Sequence, residues 1–225
     1  ITEHGGKELY NGTTKTATGY DVATDNLLYT SADFEFTGNA SVSGVDAGDY
    51  EMQLNPEDFQ NKNTNFTDVE FKIVDGVLKI EKRTVLLTSK SDSKVYDGTA
   101  LTNHNVDVTG DGFVSGDEPD YDFTGTITNV GNTPNSFTYA FGDTVNQDNY
   151  SISKEEGTLE ITPVMKKVTV TITGHTGGEK YNGAEQTVKG YDVAISDDLY
   201  TVNDFTFSGT DHVSGTNAES YPMGL

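Results

Sequence analysis

Five aspartates, Asp107, Asp111, Asp117, Asp120 and Asp122, fall within sixteen residues and are interleaved with Gly110, Gly112 and Gly116. Carboxylate and turn-carbonyl oxygens at close spacing are what a hard cation such as calcium requires. The spacing is not that of an EF-hand loop, and the matching stretch of an earlier repeat, around Asp21 and Asp25, is sparse in acids. The expectation is therefore no cofactor and no metal, with these five as weak calcium candidates. The four histidines, His4, His104, His175 and His212, show no His-x-x-x-His spacing. His4 and His175 stand close to turn glycines and read as exposed loop positions, not zinc ligands. Acid pairs such as Asp117-Glu118 and Glu155-Glu156 are expected by chance in so acidic a chain, whereas a glycosidase needs two carboxyls facing each other in a cleft. No nucleophile-elbow pattern occurs. With no cysteine there is no thiol nucleophile, disulfide or Cys-type zinc site. Lys72 or Lys79 with Asn61 are the candidates for a spontaneous lysine–asparagine cross-link. These residues define no catalytic centre, and the chain reads as not an enzyme.

The charge balance excludes other classes. Fourteen Lys and Arg against 36 Asp and Glu give a net charge of −22 over 225 residues. A phosphate backbone needs cations to neutralise it, and anionic membrane surfaces attract polybasic segments, so nucleic acid and lipid surfaces are not expected partners. No apolar run approaches the roughly 20 residues that cross a bilayer, and no signal peptide is visible at Ile1.

What must position any functional group is a repeat. Tyr10-Asn11-Gly12-Thr13, Tyr96-Asp97-Gly98-Thr99 and Tyr181-Asn182-Gly183-Ala184 recur, and Asp75-Gly76-Val77-Leu78-Lys79-Ile80 is echoed by Glu156-Gly157-Thr158-Leu159-Glu160-Ile161. Shifted by 171 residues, positions 1–54 align with 172–225 without a gap and share 28 identities in 54 pairs. The middle unit shares only the signatures, so the pattern is A-B-A′, as duplication within a tandem array produces. The domains are expected at 1–82 (type A, without the start of its first strand), 83–163 (type B) and 164–225 (type A, ending before its closing strands). The third unit is expected not to complete a sandwich.

The local period is two. Val168-Thr169-Val170-Thr171-Ile172-Thr173 and Ser136-Phe137-Thr138-Tyr139-Ala140-Phe141 alternate as half-buried strands do. Residues 68–74 and 77–81 flank Asp75-Gly76, which predicts a two-residue hairpin with positive φ. One helical turn is expected at Asn55-Pro56-Glu57-Asp58-Phe59, with Pro at the first helical position. Short strands with frequent turn signals predict an all-β protein of tandem immunoglobulin-like β-sandwich domains. The junctions at 81–83 and 163–167 contain no Gly/Ser linker, so the domains should form an elongated, semi-rigid rod on the order of 100 Å, at roughly 33 Å per unit. Basic residues cluster at these junctions and read as strand-edge solubility, with a domain–domain salt contact as the less favoured alternative.

The set Tyr96-Asp97-Gly98-Thr99, Gly116-Asp117-Glu118, Thr124-Gly125-Thr126, Val130-Gly131, Asn149-Tyr150 and Gly157-Thr158-Leu159-Glu160-Ile161-Thr162-Pro163 resembles the MBG/YDG-type immunoglobulin-like repeats of bacterial cell-surface and adhesin-like proteins. The resemblance is strongest over 84–163 and looser in the first and third units, where Tyr-Asn-Gly replaces Tyr-Asp-Gly. It implies a stalk or adhesive array that is extracellular, on a bacterial cell surface, with any wall anchor outside this fragment. It brings no catalytic residues. The signature Asn-Gly and Asp-Gly pairs read as turn formers, and the preceding Tyr as a core residue with its hydroxyl at a polar edge.

The expected function is thus that of a non-enzymatic surface repeat protein, an adhesin or stalk array. The alternative is a host-protein-binding module whose partner is an immunoglobulin or a mucin glycoprotein, for which repetition would raise avidity. A carbohydrate-binding module ranks lower, because with no Trp its platform would rest on Tyr.

Overall fold

The computed structural model describes residues 1–225. The chain is all-β, with 40% of residues in strands, several small sheets and no barrel. The only helical pieces are the 3-10 turns Ser31–Asp33, Pro56–Asp58 and Gln147–Asn149. The expected turn at Asn55-Pro56 is present, and the Asp58 carboxylate accepts the Asn55 N–H at 2.8 Å.

The chain falls into two compact units. The first holds 1–93, 101–127 and 132–160; the second holds 94–100, 128–131 and 161–225. The division does not follow the sequence repeats, because the first unit takes in the first repeat with most of the second.

In the first repeat the strand Val77–Glu81 runs parallel to Gly6–Leu9 on one side and antiparallel to Gly48–Glu51 on the other. Leu78 and Ile80 are buried while Val77 and Lys79 face water, the two-residue alternation of a half-buried strand. Lys15–Thr18 pairs with Ser41–Gly44, and Phe34–Phe36 with Phe59–Asn61, both antiparallel. Met52, Leu54 and Phe59 form one buried cluster with Phe34, Phe36 and Phe71 against it. The ring of Phe59 meets Tyr20 and Phe34 edge-on, the arrangement the ring quadrupole favours.

The hairpin expected about Asp75-Gly76 does not form. Residues 68–74 make one isolated parallel bridge, Val74 with Thr2, and Gly76 has no positive φ. Phe71 and Ile73 do face the Phe59 cluster, so the alternation is real, but the segment lies beside residues 1–3 and finds almost no ladder there. Gly76 serves close approach, not a turn: a Cβ on it would lie 2.5 Å from the Glu3 carbonyl oxygen. A Cβ on its counterpart Gly157 would likewise collide with the Ser89 carbonyl oxygen.

In the second repeat the strand Arg83–Ser89 lies between Val106–Gly110, antiparallel, and Tyr150–Glu155, parallel. The antiparallel pair Asp120–Phe123 and Phe137–Ala140 packs its rings against it. Val85, Leu87, Phe137 and Tyr150 are buried in a shared cluster with Tyr121, Phe123 and Tyr139 packed against it.

In the second unit, Val170–Gly174 pairs with Tyr191–Ile195 and Gln186–Lys189 with His212–Gly215. Although 28 of 54 positions repeat the first domain, no hydrophobic residue beyond Ile161 is fully buried.

Candidate functional site: a polar joint between the first two repeats

The signature turns are built alike. In the first, the Asn11 side-chain oxygen accepts the Thr13 N–H at 3.0 Å and its hydroxyl at 2.6 Å, while Gly12 takes φ +76°. In the second, Asp97 accepts the same two donors of Thr99 at 2.9 and 2.8 Å, with Gly98 at φ +78°. In the third, Asn182 accepts the Ala184 N–H at 2.9 Å, with Gly183 at φ +75°. An Asx residue that closes a turn on its own backbone, followed by a residue free to take positive φ, explains the motif. Asp97 also receives the Lys94 ammonium at 2.7 Å, and that bond, followed by those from Thr99, holds its carboxyl down at about 2.

The tyrosine that opens the turn is where the repeats meet. The strand Gly6–Leu9 delivers Tyr10 to its end, and the backbone N–H of Tyr10 is anchored on the Glu81 carbonyl. The Tyr10 ring is 7% exposed and meets Tyr150 of the second repeat edge-on at 5.7 Å. Both hydroxyls converge on one carboxylate oxygen of Asp117, Tyr10 at 3.1 Å and Tyr150 at 2.6 Å. The Tyr150 oxygen also accepts the Val114 N–H at 3.1 Å. Burial, and after it the bond to Asp117, pushes both phenols above their ordinary value, so they remain donors.

Two further contacts flank this centre. The guanidinium of Arg83, at the junction, donates to the carbonyls of Gly112 at 2.7 Å, of Tyr10 at 3.2 Å and of Asp111. The buried Asn149 accepts the Ala47 N–H at 2.7 Å and donates to the Asp46 carboxylate at 2.8 Å. The junction base thus acts as a three-carbonyl clasp, and strand-edge solubility does not describe it. Its planar fork of donors fits such a task.

The five candidate aspartates are not gathered into one cluster. Asp107 pairs with the Lys90 ammonium. Asp111 accepts the Thr84 N–H and hydroxyl at 2.8 and 2.7 Å. Asp117 lies in the joint, and Asp120 and Asp122 occupy the exposed face of the strand Asp120–Phe123. No three His, Asp or Glu side chains are grouped as metal ligands. His4 and His175 are indeed exposed equivalents, each held by a carbonyl (Thr18 at 2.8 Å, Lys189 at 3.0 Å) and an aspartate (Asp21 at 3.3 Å, Asp192 at 3.2 Å). His104 stacks on Phe123 and His212 lies beside its neighbour Asp211. Lys72 pairs with Glu70 and Lys79 with Asp49, whereas Asn61 bonds Tyr29 and the 63–66 turn.

The joint itself was not legible residue by residue. Its signal is that Gly116-Asp117-Glu118 and Asn149-Tyr150 belong to the same signature set as the Tyr-Asx-Gly turn.

Residues 1–82 match the MBG domain family. The match falls on the repeat with the Tyr-Asn-Gly variant, where the resemblance was expected to be looser than over 84–163. No curated protein and no solved structure matches the chain.

Proposed function

We propose that the chain is a length of a non-enzymatic, extracellular bacterial surface array, an adhesin or its stalk, built from tandem immunoglobulin-like β-sandwich repeats. The observation that carries this reading is the joint at Asp117. A catalytic domain has no need to bury the turn tyrosine of one repeat against a carboxylate of the next. A stalk does, because a flexible string of domains coils and loses reach. The MBG match over 1–82 supports the same reading.

Small-angle X-ray scattering of the chain tests it. A semi-rigid array of three units predicts a maximum dimension on the order of 100 Å. A radius of gyration near the ~17 Å expected for 225 residues in one globule would overturn the stalk reading.

A further inference from the structure

The residue eighteen positions after each signature tyrosine is apolar: Leu28, Val114 and Leu199. In the second and third repeats this residue tips a loop that is built the same way. The preceding strand ends at Gly110 in one and at Ile195 in the other, and the next residue is pinned to the start of its own repeat. Asp111 donates its N–H to the Thr84 carbonyl at 2.8 Å, and its side chain accepts the Thr84 N–H at 2.8 Å. Ser196 makes the same two bonds with Thr169, at 3.0 and 2.8 Å.

Both tips rest on the signature glycine of the repeat before them. A Cβ on Gly12 would lie 3.3 Å from a Val114 methyl, and a Cβ on Gly98 would lie 3.2 Å from a Leu199 methyl. Both are closer than the roughly 3.5–4.0 Å at which carbons pack, and each contact lies within one compact unit. The turn alone does not demand glycine, because Asn and Asp also reach positive φ. A methyl standing where a Cβ would go does demand it. The acid centre at Asp117 is not common to the two joints: at the 85-residue offset between the second and third signatures its place is taken by Val202. The methyl on the glycine is what they share.

We infer that the Tyr-Asx-Gly turn is a docking seat whose partner is the apolar tip of the following repeat in the same chain. The inference rests on the array reading and deepens it, by naming the two surfaces through which consecutive repeats are coupled. The glycine has two separate tasks: its positive φ closes the turn, and its bare Cα admits the branched aliphatic side chain of the next repeat. At the second joint the tip loop is steadied by Asp197, which accepts the Leu199 N–H at 3.1 Å with one carboxylate oxygen and meets the junction's Lys166 ammonium at 3.5 Å with the other. The junction base and the tip thus belong to one arrangement, as Arg83 and Val114 do at the first joint, where Arg83 grips the carbonyls of Asp111 and Gly112 in the tip loop.

Methyl-labelled NMR of the 225-residue chain tests it, with a local readout that is separate from the scattering test of the array. Nuclear Overhauser effects are expected between the Gly98 Hα and the Leu199 methyls, and between the Gly12 Hα and the Val114 methyls. Gly98→Ala should displace the Leu199 methyl resonances. Gly183→Ala, at a turn of nearly the same φ (+75° against +78°) with only the Tyr181 hydroxyl near, at 3.9 Å, should leave them in place. Leu199→Val should keep the contact, since Val114 makes it at the first joint. Leu199→Asp should lose it and shift the Gly98 amide but not the Gly12 amide; residue 199 lies outside the turn, so this variant reads the seat even if Gly98→Ala disrupts the fold. Absence of either Overhauser effect in the parent, equal displacement of the Leu199 methyls by Gly98→Ala and Gly183→Ala, or an unshifted Gly98 amide in Leu199→Asp would overturn it.

Discussion

The hydroxyl of Tyr10, in the first repeat, reaches a carboxylate oxygen of Asp117 in the second over 3.1 Å, and the hydroxyl of Tyr150 meets that same oxygen at 2.6 Å. One acid therefore ties the end strand of one repeat to the core of the next. Because the tyrosines and Asp117 all belong to signature positions, the motif encodes a joint as well as a turn.

Removal of that acid should loosen the first compact unit. Asp117→Ala leaves two part-buried phenols without an acceptor, which costs about 1–3 kcal/mol. Asp117→Asn retains one carboxamide oxygen and should cost less. Urea unfolding followed by tyrosine fluorescence checks the order; an Ala variant as stable as the parent would contradict it.

A buried acid of the first repeat has a purely structural task. Glu3 accepts the Leu54 N–H at 2.6 Å and the Gly76 N–H at 3.0 Å. In the second repeat its place is taken by Ser89, whose hydroxyl accepts the Gly157 N–H at 2.9 Å and donates to the Asn135 carbonyl at 2.6 Å. Glu3→Ala should cost about 1–3 kcal/mol, the penalty for orphaned buried donors, with Glu3→Gln in between. Gly76→Ala should be destabilising too, since its Cβ meets backbone on the facing strand.

The pH dependence has two signs. Asp97 sits at about 2 against an ordinary 3.8, so its contribution is present above pH 3.8 and is lost as the pH falls toward 2. Lys94→Ala should raise that value, by carboxyl NMR titration. His4 is raised above 6.5, first by the Thr18 carbonyl and then by Asp21, and His175 first by Asp192 and then by the Lys189 carbonyl. Their contribution is complete below pH 6.5 and lost as the pH rises through the folded-state value. Both ring protons should titrate above 6.5 by NMR, and Asp192→Asn should lower His175 more than Asp21→Asn lowers His4.

Millimolar calcium against chelator should leave the melting temperature unchanged, because Asp107, Asp111 and Asp117 are each held by a different partner and the five aspartates form no common cluster. A rise of several degrees would reveal a site they form together.

The sequence made the all-β class, the alternating strands and the 55–59 turn legible, since each rests on local periodicity or capping. It failed at Gly76, where a glycine serving strand approach carries the same letters as a hairpin turn. It also missed Asp117: nothing local distinguishes an acid in a cation loop from one that accepts two tyrosines, one of them 107 residues away. The role of Arg83 was hidden for the same reason, as its carbonyl partners leave no mark in side-chain types.

The rigidity of this joint is the central claim, and a cysteine-free chain allows it to be measured directly. Spin labels at Thr64→Cys and Asp143→Cys, both exposed and within the first compact unit, report the distance between the first two repeats by pulsed dipolar EPR. A single narrow distribution that broadens on Asp117→Ala is the expected result. A broad distribution in the parent, or one that Asp117→Ala leaves unaltered, would contradict it.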